Sequence, residues 1–96
     1  MRVVIKEVNK KPRIEDVENE LSVFKDLVGG YIEVVRMEDD ILLIVNEEGK
    51  MQGLPPNFST GYVVIVGTAL FVSFDDKEDF TGLSDWQIES IMSKFY

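Results

Sequence analysis

Ile41-Leu42-Leu43-Ile44-Val45 is the stretch on which the fold turns. Strand side chains alternate between faces, so five apolar residues in succession leave neither face for water. The segment reads as a central strand, covered on both sides or placed at a subunit contact. Before it, Tyr31 to Met37 alternates enough to form another strand, with Glu38-Asp39-Asp40 as the turn between the two. After it, Asn46-Glu47-Glu48-Gly49-Lys50 has the composition of a hairpin loop, with Gly49 where positive φ is needed.

Further out, Val3 to Val8 is β-branched and stops at Asn9-Lys10-Lys11-Pro12. Ile14, Val17, Leu21, Phe24, Leu27 and Val28 recur at steps of three and four, which predicts a helix over 14–28 ended by Gly29-Gly30. Gly53 to Gly61 is loop by composition, and Tyr62 to Phe74 is a long β-like run bent or bulged at Gly67. The acidic turn Asp75-Asp76-Lys77-Glu78-Asp79 leads to a second helix. Its start carries an S-x-x-Q capping box, Ser84 to Gln87, inside a Leu83/Ile88 staple. Ile88, Ile91, Met92 and Phe95 form the buried stripe of that helix, and Trp86 projects away from it. The order implies one α+β domain over residues 1–96. Its sheet is mixed or antiparallel, of about four to five strands, with two helices packed on one face.

Composition narrows the chemistry. The 96 residues are 45% hydrophobic and 29% charged, enough for one modest core. With no Cys and no His, thiol nucleophiles, disulfides, Cys/His zinc sites and imidazole acid–base catalysis are all excluded. Ten basic against eighteen acidic residues give a net charge of −8, which disfavours direct nucleic-acid binding. No apolar run approaches the ~18 residues that span a bilayer, and the opening Met1-Arg2-Val3-Val4-Ile5-Lys6 is too charged for a signal core. A cytoplasmic protein is expected.

Several polar residues suit ligand binding. Asn46, Glu47 and Lys50 place an amide, a carboxylate and an ammonium at a strand end, a set able to meet hydroxyls, base edges or a phosphate. A hairpin turn, with Asn and Gly serving backbone geometry and the glutamates solvated, accounts for the same residues more simply. Asn57 follows two prolines that hold it in place, or it caps its own turn. Glu33 interrupts an otherwise apolar strand and is the best single candidate, with pairing to Arg36 as its structural alternative. Tyr31 is placed to stack on a ligand. Arg13, with Lys10 and Lys11, belongs to the local basic cluster and could receive an anion or balance Glu15 and Asp16. Trp86, with Phe58 or Tyr62, is a candidate for stacking or a subunit interface. The Asp75–Asp79 run fails as a calcium loop because Phe80 stands where glycine is required. No catalytic residue, metal site or cofactor is assigned. Paired carboxylates such as Glu33 with Glu47 or Glu48 remain the route by which an enzyme would work.

The segments Val28-Gly29-Gly30-Tyr31-Ile32-Glu33, Asn46-Glu47-Glu48-Gly49-Lys50, Leu54-Pro55-Pro56-Asn57 and Ile65-Val66-Gly67-Thr68 occur in a distinctive order. Together with Leu83-Ser84-Asp85-Trp86-Gln87-Ile88, they resemble an uncharacterised family of small proteins carried largely by bacteriophages and mobile elements. The similarity runs from about Pro12 to Ile88. It implies a shared fold and a genomic context, with no catalytic residues to carry over. In that context the expected function is non-enzymatic: a homo-oligomer that sequesters a small polar metabolite, such as a nucleotide-derived host defence signal. The alternative is an acidic inhibitor or DNA mimic that acts on a host protein.

Overall fold

A computed structural model describes residues 1–61 and 63–95. The strands are β1 (Arg2–Lys6), β2 (Arg13–Asp16), β3 (Ile32–Arg36), β4 (Ile41–Asn46), β5 (Pro56–Ser59), β6 (Val64–Val66), β7 (Ala69–Phe74) and β8 (Phe80–Thr81). The helices are α1 (Leu21–Val28) and α2 (Asp85–Ser93). The main sheet runs β2-β1-β7-β4-β3, with β8 paired to β7, and every pairing is antiparallel. Strands β5 and β6 form a separate antiparallel ribbon. The chain is α+β as expected, with a six-stranded main sheet.

Strand β4 lies between β3 and β7, and all six of its residues are buried. Alternation divides the central strands between two cores. Val4, Leu43, Val45 and Phe71 face one of them, beneath α2 (Ile88, Ile91) and the ribbon (Ile65, with Phe58 against it). Val3, Ile5, Leu42, Ile44, Leu70 and Val72 face the other, beneath Phe24 and Val28 of α1. The helices therefore cover opposite faces rather than the single face expected. Strands apolar on both sides need a cover on each.

The helix expected over 14–28 begins only at Leu21. Arg13–Asp16 instead pairs with β1 in the register Arg2↔Asp16 to Ile5↔Arg13. The terminal ammonium of Met1 donates to Asp16 Oδ1 (2.8 Å) and to the Val17 carbonyl (3.0 Å), and the Val17 N–H donates to the Met1 carbonyl (2.9 Å). Ladder bonds and an anchored terminus outweigh an apolar spacing that reached only Ile14 and Val17. Gly29 does end α1, in the left-handed conformation (φ 81°), with its N–H on the Lys25 carbonyl.

Two loop expectations also change. Residues 47–53 close on themselves through Gln52 N–H to Glu48 O and Leu54 N–H to Gly49 O, and then deliver the chain to β5 of the ribbon rather than back along β4. Gly49 does not have positive φ. It is small because a Cβ there would stand 2.9 Å from Val66 Cγ2. The segment expected as loop from Gly53 to Gly61 contains β5, while the break expected at Gly67 (φ 71°) separates β6 from β7.

Candidate functional site

A cleft of about 290 Å³ opens where β3, the end of β4 and the 47–51 turn meet the residues entering β6. Sheet register explains how it forms. Glu33 is level with Val45, so its side chain follows Val35 and Val45 toward the face that the ribbon covers. The ribbon does not reach the outer part of β3, which leaves a trough beneath Val63 and Val64. Glu33, Glu47 and Lys50 stand around an apolar wall of Val35, Val45, Val64 and Ile65. Among the described residues, none of these three side chains takes part in a hydrogen bond or an ion pair. The arrangement provides two hydrogen-bond-accepting carboxylates, one ammonium and an apolar wall.

Of the other residues predicted from sequence, Asn46 borders the cleft, but the fold uses its amide. It is 6% exposed. Its Nδ2 donates to the Val28 carbonyl (3.2 Å) and Gln52 Oε1 (3.2 Å), and its Oδ1 accepts from the Glu48 N–H (2.8 Å). A Cβ on Gly30 would come within 3.1 Å of that Nδ2, so Gly30 is small to admit the amide. Asn57 lies apart from the cleft. Its Nδ2 bridges the Lys6 and Gly67 carbonyls (2.8 Å each) while its Oδ1 accepts from the buried Lys6 ammonium (3.0 Å). Both amides lock one element to another, which no local spacing reveals.

Arg13 is also remote from the cleft. It donates to Glu7 Oε2 (2.6 Å) and Glu15 Oε1 (2.9 Å). The bond to Glu15, then the bond to Glu7, hold its guanidinium above its ordinary pKa. In turn Arg13, followed by Lys10, lowers the Glu7 carboxyl. Tyr31 is 64% exposed at the head of β3, with the Lys25 ammonium 4.6 Å from its ring centroid. Phe58 is not available for stacking with Trp86, because it packs on Phe71 (5.7 Å) and Phe95 (5.2 Å) inside the core. Tyr62 lies outside the described residues. Met51, Val63 and Val64 also line the cleft, and no local pattern marks them, since an exposed apolar residue in a turn or at the start of a three-residue strand carries no periodic signal.

Trp86 is 57% exposed in the first turn of α2. The Gln87 amide beside it donates to the Asp39 carbonyl (2.9 Å). That contact brings α2 to the sheet end where Ile41 pairs with Ser73 and the two acidic turns, 38–40 and 75–79, emerge. Within the second turn, Asp75 Oδ1 accepts from the N–H groups of Lys77 and Asp79 (2.9 and 3.0 Å). Among the described residues, no group of three or more acidic side chains is arranged to hold a metal ion. Nor is any helix among them long and apolar enough to cross a membrane.

The sequence model of a family described as "Domain of unknown function (DUF3846)" matches residues 1–96, and the chain belongs to that family. No curated protein matches the chain, and no solved structure does.

Proposed function

We propose that this member of the family binds a small polar metabolite in the Glu33–Lys50 cleft and retains it without chemical conversion. One observation carries the reading. Glu33, Glu47 and Lys50 surround the cleft without side-chain partners among the described residues, whereas Asn46, Asn57 and Arg13 are engaged by the fold. Two carboxylates favour a ligand rich in hydroxyl or amino donors, the valine wall favours a flat apolar ring, and Lys50 suits a single phosphate or carboxylate. At about 290 Å³ the cleft falls just below the ~300–1,000 Å³ usual for ligand sites. That size and the net charge of −8 favour a nucleoside or sugar monophosphate over a polyphosphate. In a phage or mobile-element setting, such binding would remove a nucleotide-derived defence signal by mass action, with copy number in place of turnover.

The test is native mass spectrometry of the purified protein, alone and after exposure to adenosine, adenosine monophosphate and a cyclic nucleotide, followed by heat release. The expected result is one intact small molecule per cleft, with retention at least tenfold weaker in Glu33→Gln and Lys50→Met at unchanged melting temperature. Full retention by both variants would refute the cleft, and product in excess of protein would refute binding without turnover.

A second reading has its own observation. The acidic turns and the exposed Trp86 meet at one end of the molecule, a surface suited to a basic protein partner. Neutralising Asp75, Asp76, Glu78 and Asp79 would abolish that interaction and leave metabolite retention intact.

A further inference from the structure

Strand β3 ends the main sheet, and its hydrogen-bonding parity follows from two contacts. The Glu47 N–H donates to the Tyr31 carbonyl, and the Met37 N–H donates to the Ile41 carbonyl, both at 2.8 Å. Antiparallel partners exchange bonds at alternate residues. Tyr31, Glu33, Val35 and Met37 therefore turn their backbone groups toward β4, while Ile32, Val34 and Arg36 turn theirs outward. Among the described residues nothing pairs with that outer edge.

The two edges of the sheet differ. β2 is guarded by charge, with Arg13 paired to Glu7 and Glu15 and Asp16 held by the terminal ammonium. β3 carries neither proline nor lysine, and exposed apolar side chains gather around it. Tyr31 and Val34 (43% exposed) belong to its own segment, and Met51 (86% exposed), Val63 and Val64 share the adjoining cleft.

We infer that β3 pairs antiparallel with β3 of a second copy about a two-fold axis at Val34, joining the two sheets into one. The two-fold axis requires a residue to face itself, and the parity admits three central residues. A centre at Glu33 sets two carboxylates opposite each other. A centre at Val35 carries Ile32 past the strand to Glu38 of the turn. Only Val34 aligns the whole strand, with Val34 against Val34, Ile32 against Arg36 and Glu33 against Val35. Three bonded pairs then supply about six inter-chain hydrogen bonds. Glu33 and Arg36 leave the strand with no net charge, so it does not repel its own copy. The pairing closes the open edge in both copies and lays each Val35 beside the Glu33 of the other copy, narrowing both clefts. It stands independently of the ligand that fills them.

Sedimentation equilibrium from about 1 to 100 µM, with Val34→Pro and Val34→Lys, tests the pairing. The Val34 N–H points outward, so proline there removes no bond within the chain. The wild type is expected at twice the chain mass. Both variants are expected at the monomer mass with unchanged circular dichroism, and Glu33→Gln should remain dimeric. Because each copy carries −8, the wild-type dissociation constant should fall as salt is added. A wild-type monomer throughout, or a dimer that survives Val34→Lys, would overturn the inference. If Val34→Pro unfolds, Val34→Lys alone decides.

Discussion

Replacing Asn46 with alanine separates fold from site. The substitution removes a donor to the Val28 carbonyl, a donor to Gln52 and an acceptor for the Glu48 N–H. Each such bond contributes about 1 kcal/mol net, and more where the abandoned group is shut away from water. The contact to the Val28 carbonyl is buried, while the other two are partly wet. The expected loss is therefore ~2–3 kcal/mol, a large share of the 5–15 kcal/mol typical of a domain. In urea unfolding with a slope of ~1.5–2 kcal/mol/M, the midpoint should fall by about 1–2 M. Asn46→Asp adds a signature in pH. The introduced carboxylate keeps the bond from Glu48 but faces the Val28 carbonyl, so burial and repulsion raise its folded pKa. A group with a raised folded pKa contributes stability below its unfolded value and loses it as pH rises through the folded one. Asn46→Asp should thus be weakest at neutral pH and recover toward pH 4. If Asn46→Ala unfolds within ~0.5 kcal/mol of wild type, as an inconsequential surface change would, the structural assignment of this residue is wrong.

Gln87 should be as sensitive. Its Oε1 accepts from the Ser84 N–H, and its Nε2 donates to the Asp39 carbonyl and Ser73 Oγ. Gln87→Met keeps the volume and abandons all three bonds, so ~2–3 kcal/mol should be lost and the calorimetric melting temperature should drop by roughly 10–20 °C. Acid titration of stability provides another check. Arg13, then Lys10, lowers the Glu7 carboxyl, and the terminal ammonium lowers Asp16. Depressed carboxyls contribute above their unfolded pKa, and the contribution is lost as pH falls through the folded value, below about pH 4.5. Arg13→Met should flatten that loss in urea titrations between about pH 4.5 and 2; an unchanged profile would show that the cluster does not couple to folding.

How much was legible in the chain differs from element to element. The capping box at Ser84 and Gln87, the staple of Leu83 with Ile88, the stop at Gly29 and the doubly covered β4 all stand as read. Each depends on neighbours within a few residues, or on composition that only one environment tolerates. Other elements are ambiguous because two structures share one local pattern. Ile14 fits a helical stripe or an edge strand equally well, and only pairing with β1 decides between them. The prolines before Asn57 suggested a loop held ready for a ligand, yet β5 pairs with β6 and Asn57 serves Lys6.

The candidate site divides in the same way. The amino-acid sequence establishes that any chemistry here proceeds without thiol or imidazole, and that Glu33 is an anomaly in an apolar strand. It also establishes that both faces of β4 must be covered, because five successive apolar side chains have no other stable place. Which polar residues are free depends on packing between segments far apart in the chain. An amide is either a ligand group or a structural clamp according to the carbonyls that approach it, and those of Val28, Lys6 and Gly67 reach Asn46 and Asn57 from elsewhere in the chain. Glu33, Glu47 and Lys50 line one cleft only because β4 carries its neighbours β3 and the 47–51 turn beneath the ribbon. That convergence is set by register between strands, and register is a property of pairs of segments rather than of either one alone.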